Sequence, residues 1–445
     1  MKTRITFVNH ASICVTAGRV SILSDPWYFS SAFHKGWSLL YENSDDEINN
    51  IVDNLTHIWI SHEHPDHLSI PFFKKYSSKL KKNKVTILFQ KTKDRRVVNF
   101  LRSINLKVEE LNFNKSISLS KEVTISCFKD GVYDSALLIE SFGEKILNLN
   151  DCVVRSLKDA KKIFNQTGYV DFLATQFSYA AWKGGEKNKQ WREIAAEEKI
   201  NAIEVQNKVF KPKYILPFAS FIYFSNDRNF YLNDSVNTPK KITNNLSKKS
   251  NNLLFMKPFD VFGGDNCKYN SDQAIIFWEE KFNNIHNFQK LSYDKVTKET
   301  LKISYEKFLS TLSASNNLFF MRLVSYLPFL NLFKPLTIEL DDLNEIVRID
   351  ILKKTFQTIE NSSVDLKMSS ESLNFIFNNQ FGFDTLTVNG CFEEVSNGGF
   401  VKSVKSIGVG QLNNNGYQFN FRLMFNINLI ISSFRSIFRV KKNLE

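Results

Sequence analysis

Four side chains able to bind metal fall within six residues: His62, His64, Asp66 and His67, in the run His62-Glu63-His64-Pro65-Asp66-His67. The apolar run Ile58-Trp59-Ile60-Ser61 leads straight into it. In an extended segment alternate side chains share a face, so His62 and His64 can reach one ion from the same side. Pro65 ends the extended run, and the spacing predicts Asp66 and His67 at the head of the next helix, holding a second ion beside the first. Imidazole and carboxylate donors suit Zn²⁺, Fe or Mn²⁺. The alternative is a polar surface turn, which does not explain four ligand-type side chains packed directly after an apolar strand.

Such donors need strand ends to hold them. Short runs rich in Val, Ile and Phe predict strands at Arg4–Val8, Ile13–Thr16, Val20–Leu23, Ile58–Ser61, Val85–Phe89, Val123–Phe128, Ala136–Glu140, Lys145–Leu149, Phe172–Thr175 and Tyr214–Pro217. Helical patterns fall at Asp45–Leu55, Ser69–Leu80, Asp94–Ile104, Val153–Phe164 and Arg192–Phe210. Meandering early strands followed by alternation with helices suit an α/β layered sandwich better than a doubly wound sheet. A polar stretch, Asn233–Asn252, interrupts the pattern. A mostly helical region, Gln273–Leu332, follows. Mixed elements close the chain: Glu345–Lys354 strand-like, Ser369–Asn379 helical, Thr385–Val388 a strand. The organisation expected is a first domain over 1–265, a helical region over 266–340 and a small α+β domain over 341–445.

The His-x-His-x-Asp-His motif resembles that of the metallo-β-lactamase superfamily, which implies an αββα sandwich. His10-Ala11-Ser12, Ser24-Asp25-Pro26-Trp27, Ala32-Phe33, Gly36-Trp37, His64 to Ser69 and Asp151-Cys152 are similar to the hydrolase-like domain of CMP-N-acetylneuraminate hydroxylases. Trp182, Gly184-Gly185, Trp191 and Pro217-Phe218 continue that likeness, which covers roughly residues 4–230. The resemblance implies a dinuclear site ligated by His62, His64, Asp66, His67 and Asp151, with Asp151 bridging the metals and Asp66 and Asp151 carrying catalysis. An Asp151 that merely caps a helix starting at Val153 is the alternative.

Two departures follow. Superfamily members add two further His ligands, yet none of the seven His here lies between 68 and 285. Tyr133, Asp134, Asn226 and Asp227 are the candidate substitutes, ahead of Cys152 and His286. Oxygen in place of nitrogen would move preference from zinc towards iron or manganese. Rieske clusters need Cys-x-His and Cys-x-x-His pairs. No cysteine here has a His two or three residues downstream, so no Rieske cluster is expected.

Around the motif, His10 and Asp25 are candidates to sit behind the metals and orient a ligating His, with a buried structural His and an Asx turn as the alternatives. His57 lies one period off the motif's face and reads as structural. Trp182 to Arg192 joins two aromatics, two glycines and four cations. It is a candidate substrate lid, with Trp182, Lys183 and Lys187 meeting an anionic substrate, or else a solvated loop.

The remaining numbers bound the class. The chain of 445 residues is 43% hydrophobic and 23% charged, ordinary for a folded globular protein. A net charge of +12 favours anionic partners without choosing among them, and no specific nucleic-acid binding follows from it. Five scattered cysteines with no CxxC pair argue for a reducing, cytoplasmic setting. No signal peptide or membrane span is legible. The tail, with Ile430, Ile431, Phe434, Ile437 and Phe438 opposite Arg435, Arg439 and Lys442, is a candidate for peripheral contact with an anionic membrane or for packing on its own domain. Three functions fit. The first is a hydrolase using a metal-bound hydroxide on a phosphoester, amide or lactone of an anionic substrate such as a nucleotide sugar. The second is a diiron oxygen-activating enzyme of sugar or amine tailoring, and the third a degenerate binding protein.

Overall fold

A computed structural model of the chain describes residues 2–422 except 132, 247–251, 265–268, 329, 361 and 415–417. The tail expected to touch membrane lies outside the described residues. Among these residues no helix is long and apolar enough to cross a membrane.

Two sheets face each other. The first runs in the order Val261–Gly263, Arg4–Asn9, Ser12–Ala17, Val20–Ser24, His57–Ile60, Thr86–Gln90, Lys107–Leu111. The second runs Tyr214–Phe218, Phe172–Gln176, Glu144–Asn150, Asp134–Ser141, Val123–Asp130, Ser116–Ser118. Strand period two sorts their side chains into layers. Trp59 and Leu88 point between the sheets with Leu137, Ile139 and Ile146. Their neighbours Ile58, Ile60, Ile87 and Phe89 face outward, under Ile48, Val52, Phe72 and Leu101 of the helices Asp45–Asp53, Ile70–Lys82 and Arg96–Ser103. On the other side Leu138, Leu147 and Leu173 meet Ala160, Ile163 and Phe210 of the helices Leu157–Thr167 and Lys189–Phe210. Helix, sheet, sheet, helix is the αββα sandwich expected from the sequence.

The parallel pairs fix where chemistry can gather. Val20–Ser24, His57–Ile60 and Thr86–Gln90 run parallel in one sheet, and Glu144–Asn150, Phe172–Gln176 and Tyr214–Phe218 in the other. Their carboxyl ends carry Asp25, the His62 motif and Asp151. In open α/β sheets that edge is the one that takes ligands.

Beyond the sandwich, the helix Asp272–Asn283 seats Trp278 in the inter-sheet core, stacked on Phe221 at 4.0 Å. Helices Lys298–Ser315 and Leu318–Ser325 lead to a five-stranded sheet ordered Thr355–Ile359, Glu345–Asp350, Leu336–Leu340, Leu366–Met368, Phe392–Glu394. One buried cluster runs from Trp27, Trp37 and Trp182 into this sheet, where it takes in Ile338, Leu366 and Phe392. Thr385–Val388, expected as a strand, lies instead in the helix Gly382–Asn389. Although three of those four residues are β-branched, the segment packs as a helix that buries Phe383 and Leu386, and Gly390, at φ 69°, ends it in the left-handed conformation.

Candidate metal centre

His62 follows the buried strand His57–Ile60, whose end is pinned from three sides. The Ser61 amide and hydroxyl donate to Asp25 at 2.8 Å each, and the Ser61 carbonyl accepts from Gln90 at 2.9 Å and Ser135 at 2.6 Å. The His62 Nε2 then lies 2.8 Å from His64 Nδ1. Facing nitrogens at that spacing suit two ligands that would each stand ~2.0–2.1 Å from one ion. Pro65 turns the chain, with the amides of His67 and Leu68 donating to the His64 carbonyl at 3.0 and 2.7 Å. Asp66 and His67 therefore project from this turn and not from the helix head. The helix starts at Ile70, capped by Ser69.

These donors converge. His67 Nε2 is 3.1 Å from Asp66 Oδ2 and 3.6 Å from Asp151 Oδ2, and the rings of His62 and His67 are 4.1 Å apart. Two groups have donor atoms all within 4.8 Å of one another: His10, Asp66 and His67, and His62, His67 and Asp151. His67 belongs to both. Among the described residues, both His10 ring nitrogens, Asp66 Oδ1 and His67 Nε2 are buried without a hydrogen bond. Orphaned buried polar atoms cost about 1–3 kcal/mol each. A cation would satisfy them together, and the donor set fits divalent metal.

Electrostatics agree. Burial, then the neighbouring His67 and His64, holds His62 well below the usual imidazole range. Burial opposes charge on His67, but Asp66, Asp151 and Asp25 overcome it and raise that group well above the ordinary value. Burial would also raise Asp151, yet His67 and His62 hold it low. Asp134 is pushed up to about 7 by burial and by the Asp151 charge.

The supporting residues explain the orientations. Asp25 Oδ2 lies 3.1 Å from His67 Nδ1, leaving Nε2 directed at the centre. His10 Nε2 is 3.4 Å from Asp66 Oδ2, and its ring packs edge-on against Trp27. His10 and Asp25 have φ of 32° and 37°. Left-handed backbone costs a non-glycine residue about 1–3 kcal/mol, and such strain gathers where a side chain must be aimed. Asp151 caps no helix, since Leu157–Thr167 starts later under Ser156.

Of the substitutes for the missing histidines, Asp134 comes to the centre, its Oδ1 3.7 Å from His62 Nε2. Tyr133 turns its ring towards Phe381, 6.5 Å away. Asn226 and Asp227 sit in a turn elsewhere, with Asn226 Oδ1 accepting from the Arg228 amide and the Asp227 amide donating to Leu291. Cys152 is a buried thiol, and His286 is exposed in a 3-10 turn. His57 bonds the Thr56 hydroxyl at 2.8 Å, away from the cluster.

Trp182 is no lid residue. It is 4% exposed and packs on Phe392 and Phe400 with centroids 4.7 and 4.8 Å away. Lys187 is exposed, and Lys183 is half-buried near Arg155, with burial and then Arg155 lowering it to about 8. Sequence reasoning missed Ser61, Asn150, Gln176 and Lys199. Asn150 donates to Asp25 and Ser61, Gln176 donates to Asp151 Oδ1 at 3.2 Å, and Lys199 donates to Gln176. Ser61 and Asn150 adjoin quoted motif residues, which is the one signal that could have found them.

A sandwich with His, His, Asp, His and Asp at one sheet edge defines a candidate dinuclear metal protein of the kind the motif resembles. The chain is 26% identical over 274 residues to the human inactive cytidine monophosphate-N-acetylneuraminic acid hydroxylase, covering 58% of this chain and 53% of that protein. With the Xenopus laevis hydroxylase it shares 27% over 247 residues, 53% of this chain and 41% of the relative. The chain thus spans about half the length of the curated relatives it matches. No protein-family model matches. Among solved structures it is similar to CmlA, a diiron β-hydroxylase from Streptomyces venezuelae, at 13% identity and TM-score 0.43, over 59% of this chain and 54% of that one. It is also similar to the metallo hydrolase Igni18 from Ignicoccus hospitalis, at 13% identity and TM-score 0.37, over 59% and 98%.

Proposed function

We propose that this chain is a metal-dependent enzyme, and that its centre is built for an oxygen-activating reaction on iron or manganese. Asp134 carries the reading: a carboxylate stands beside His62 where superfamily members place nitrogen. With Asp66, Asp151 and Asp134 beside three motif histidines, the donor set is richer in oxygen than the histidine-dominated pattern the motif resembles, which shifts preference from zinc towards iron and manganese. Such ions, held there, would supply one-electron chemistry that zinc lacks. The chain's own part is orientation. Asp25 and Ser61 fix the ring of His67 and the strand end under His62, and Gln176, held by Lys199, leaves Asp151 Oδ2 facing His67. The curated hydroxylases match this chain over about half their length, so that similarity supports a metal site on this fold and leaves the oxygen-activating reading to rest on Asp134.

Hydrolysis is the second reading, favoured by the motif's intact His62, His64, Asp66 and His67, the set that hydrolytic zinc sites also use. Metal analysis of chain purified without chelator, combined with oxygen uptake by the same chain after anaerobic reduction so that the metal ions supply the electrons, separates the two. Two iron or manganese ions per chain with oxygen consumption is the expected result. Two zinc ions and no oxygen uptake would overturn the oxygen-activating reading in favour of hydrolysis.

A further inference from the structure

A cavity of about 330 Å³ opens beside His64. The motif turn and the helix Arg96–Ser103 form one side, and the helix Gly382–Asn389 from the C-terminal part forms the other. Its walls are largely ring and aliphatic surface, including Phe33, Phe100, Tyr133 and Phe381. The volume is at the low end of ligand pockets, which run roughly 300–1,000 Å³. It suits one ring with a short chain, and is small for a nucleotide sugar.

Two carboxylates stand in this lining. Glu63 and Asp384 both face the cavity. Arg96 is the one cation among its lining residues, and that guanidinium already pairs with Asp94 and lies over the Phe381 ring at 4.3 Å, leaving Glu63 at 3.7 Å. Asp384 accepts from Gln411, an uncharged donor. Glu63 thus has a cation that is already committed to Asp94, and Asp384 meets the uncharged Gln411, in a chain whose net charge is +12. Lys199 and Arg155 do not line the cavity. They lie on the Asp151 flank, where Lys199 bonds Gln176 and Arg155 pairs with Glu198 at 3.2 Å.

We propose that this cleft binds a small ring-bearing amine, its ring against the aromatic walls and its ammonium between Glu63 and Asp384, which sets the molecule next to His64. The C-terminal part of the chain thereby completes the site, since Phe381 and Asp384 both come from it. This rests on the proposed function only in taking the centre at His64 as the reacting one.

Calorimetric titration of the full chain, as purified and with its metal content measured, tests the proposal with three probes of one shape: 2-phenylethylamine, 2-phenylethanol and 3-phenylpropionate. The amine should bind tightest and the carboxylate weakest. Asp384→Asn should weaken the amine at least about tenfold and leave the alcohol unchanged, and Glu63→Gln should act in the same direction. Repeating the amine titration on chelator-treated chain should preserve binding, so a wrong metal assignment and a wrong pocket fail separately. Equal or tighter binding of the carboxylate overturns the proposal, as does amine binding that vanishes with the metal. Loss of metal from Asp384→Asn with unchanged amine affinity would also overturn it, making Asp384 a support for His64.

Discussion

His64 is half-buried while His62, Asp66 and His67 are buried, so it is the donor that can be removed with least damage to packing. His64→Ala should lose at least one metal equivalent, read by elemental analysis, while its melting temperature in metal-free buffer stays within a few degrees of the parent (roughly 0.5–1 kcal/mol). Full metal content in that variant would remove His64 from the ligand set. Lys199 gives a pH test. Burial, then Arg155, lowers it from 10.5 to about 7 in the fold. The unfolded chain therefore binds more protons between those values, so the lysine's contribution to stability rises with pH across that window. Below about 7 the charged, half-buried lysine weighs against folding. Lys199→Met should be most favourable relative to the parent near pH 6.5 and lose that advantage as pH climbs towards 10, followed by chemical denaturation at each pH. An advantage that grows with pH would contradict the burial argument.

At the scale of elements, strand ends aim and helices close. The segment after Gln176 carries Trp182 into the join between the sandwich and the five-stranded sheet, where its amide donates to the Thr387 carbonyl at 3.2 Å. Trp182→Ala should destabilise the chain by about 3–5 kcal/mol, the range for emptying a large aromatic from a core, seen as a lower denaturation midpoint. A substrate-contacting lid would instead leave the midpoint alone and change ligand affinity. The same join explains Gly36. A Cβ there would stand 2.4 Å from the Cβ of Asn389, whose side-chain amide donates to the Phe33 carbonyl at 3.1 Å. Phe33 lines the cleft, so this close approach is also what holds the cleft's two sides together.

For the molecule as a whole, the C-terminal sheet shares a buried cluster with Trp27, Trp37 and Trp182 of the first part of the chain, beside the separate core between the sandwich sheets. Arg228 forms a forked pair with Asp341 at 2.8 and 2.7 Å, and Asn229 donates to the carbonyls of Gly36 and Asn389 at 2.9 and 2.6 Å. These bonds surround an apolar cluster reaching from Trp27 to Phe419. Unfolding should therefore be a single transition, with far-ultraviolet dichroism and tryptophan fluorescence coincident in denaturant. Two separated transitions would show that the C-terminal sheet melts on its own, and with it one wall of the cleft.

The sequence by itself determined the motif, the sandwich and most of its strands, because period-two alternation and a dense run of ligand types are local signals. It pointed to His10, Asp25 and Asp151 through their neighbours, and set Asp134 among four substitutes without choosing. That choice was tertiary. Asp134 starts a strand antiparallel to Glu144–Asn150 and so lands at the edge where Asp151 emerges, whereas Asn226 turns into a different hydrogen-bond network. Trp182 looked like a loop residue because its glycine- and lysine-rich surroundings are polar, and only the arrival of Phe392 and Phe400 from over 200 residues away buries it. Asp384 and Lys199 carried no local mark at all. Their roles come from long-range packing: a helix from the end of the chain closing over the motif, and a helix on the second sheet reaching Gln176.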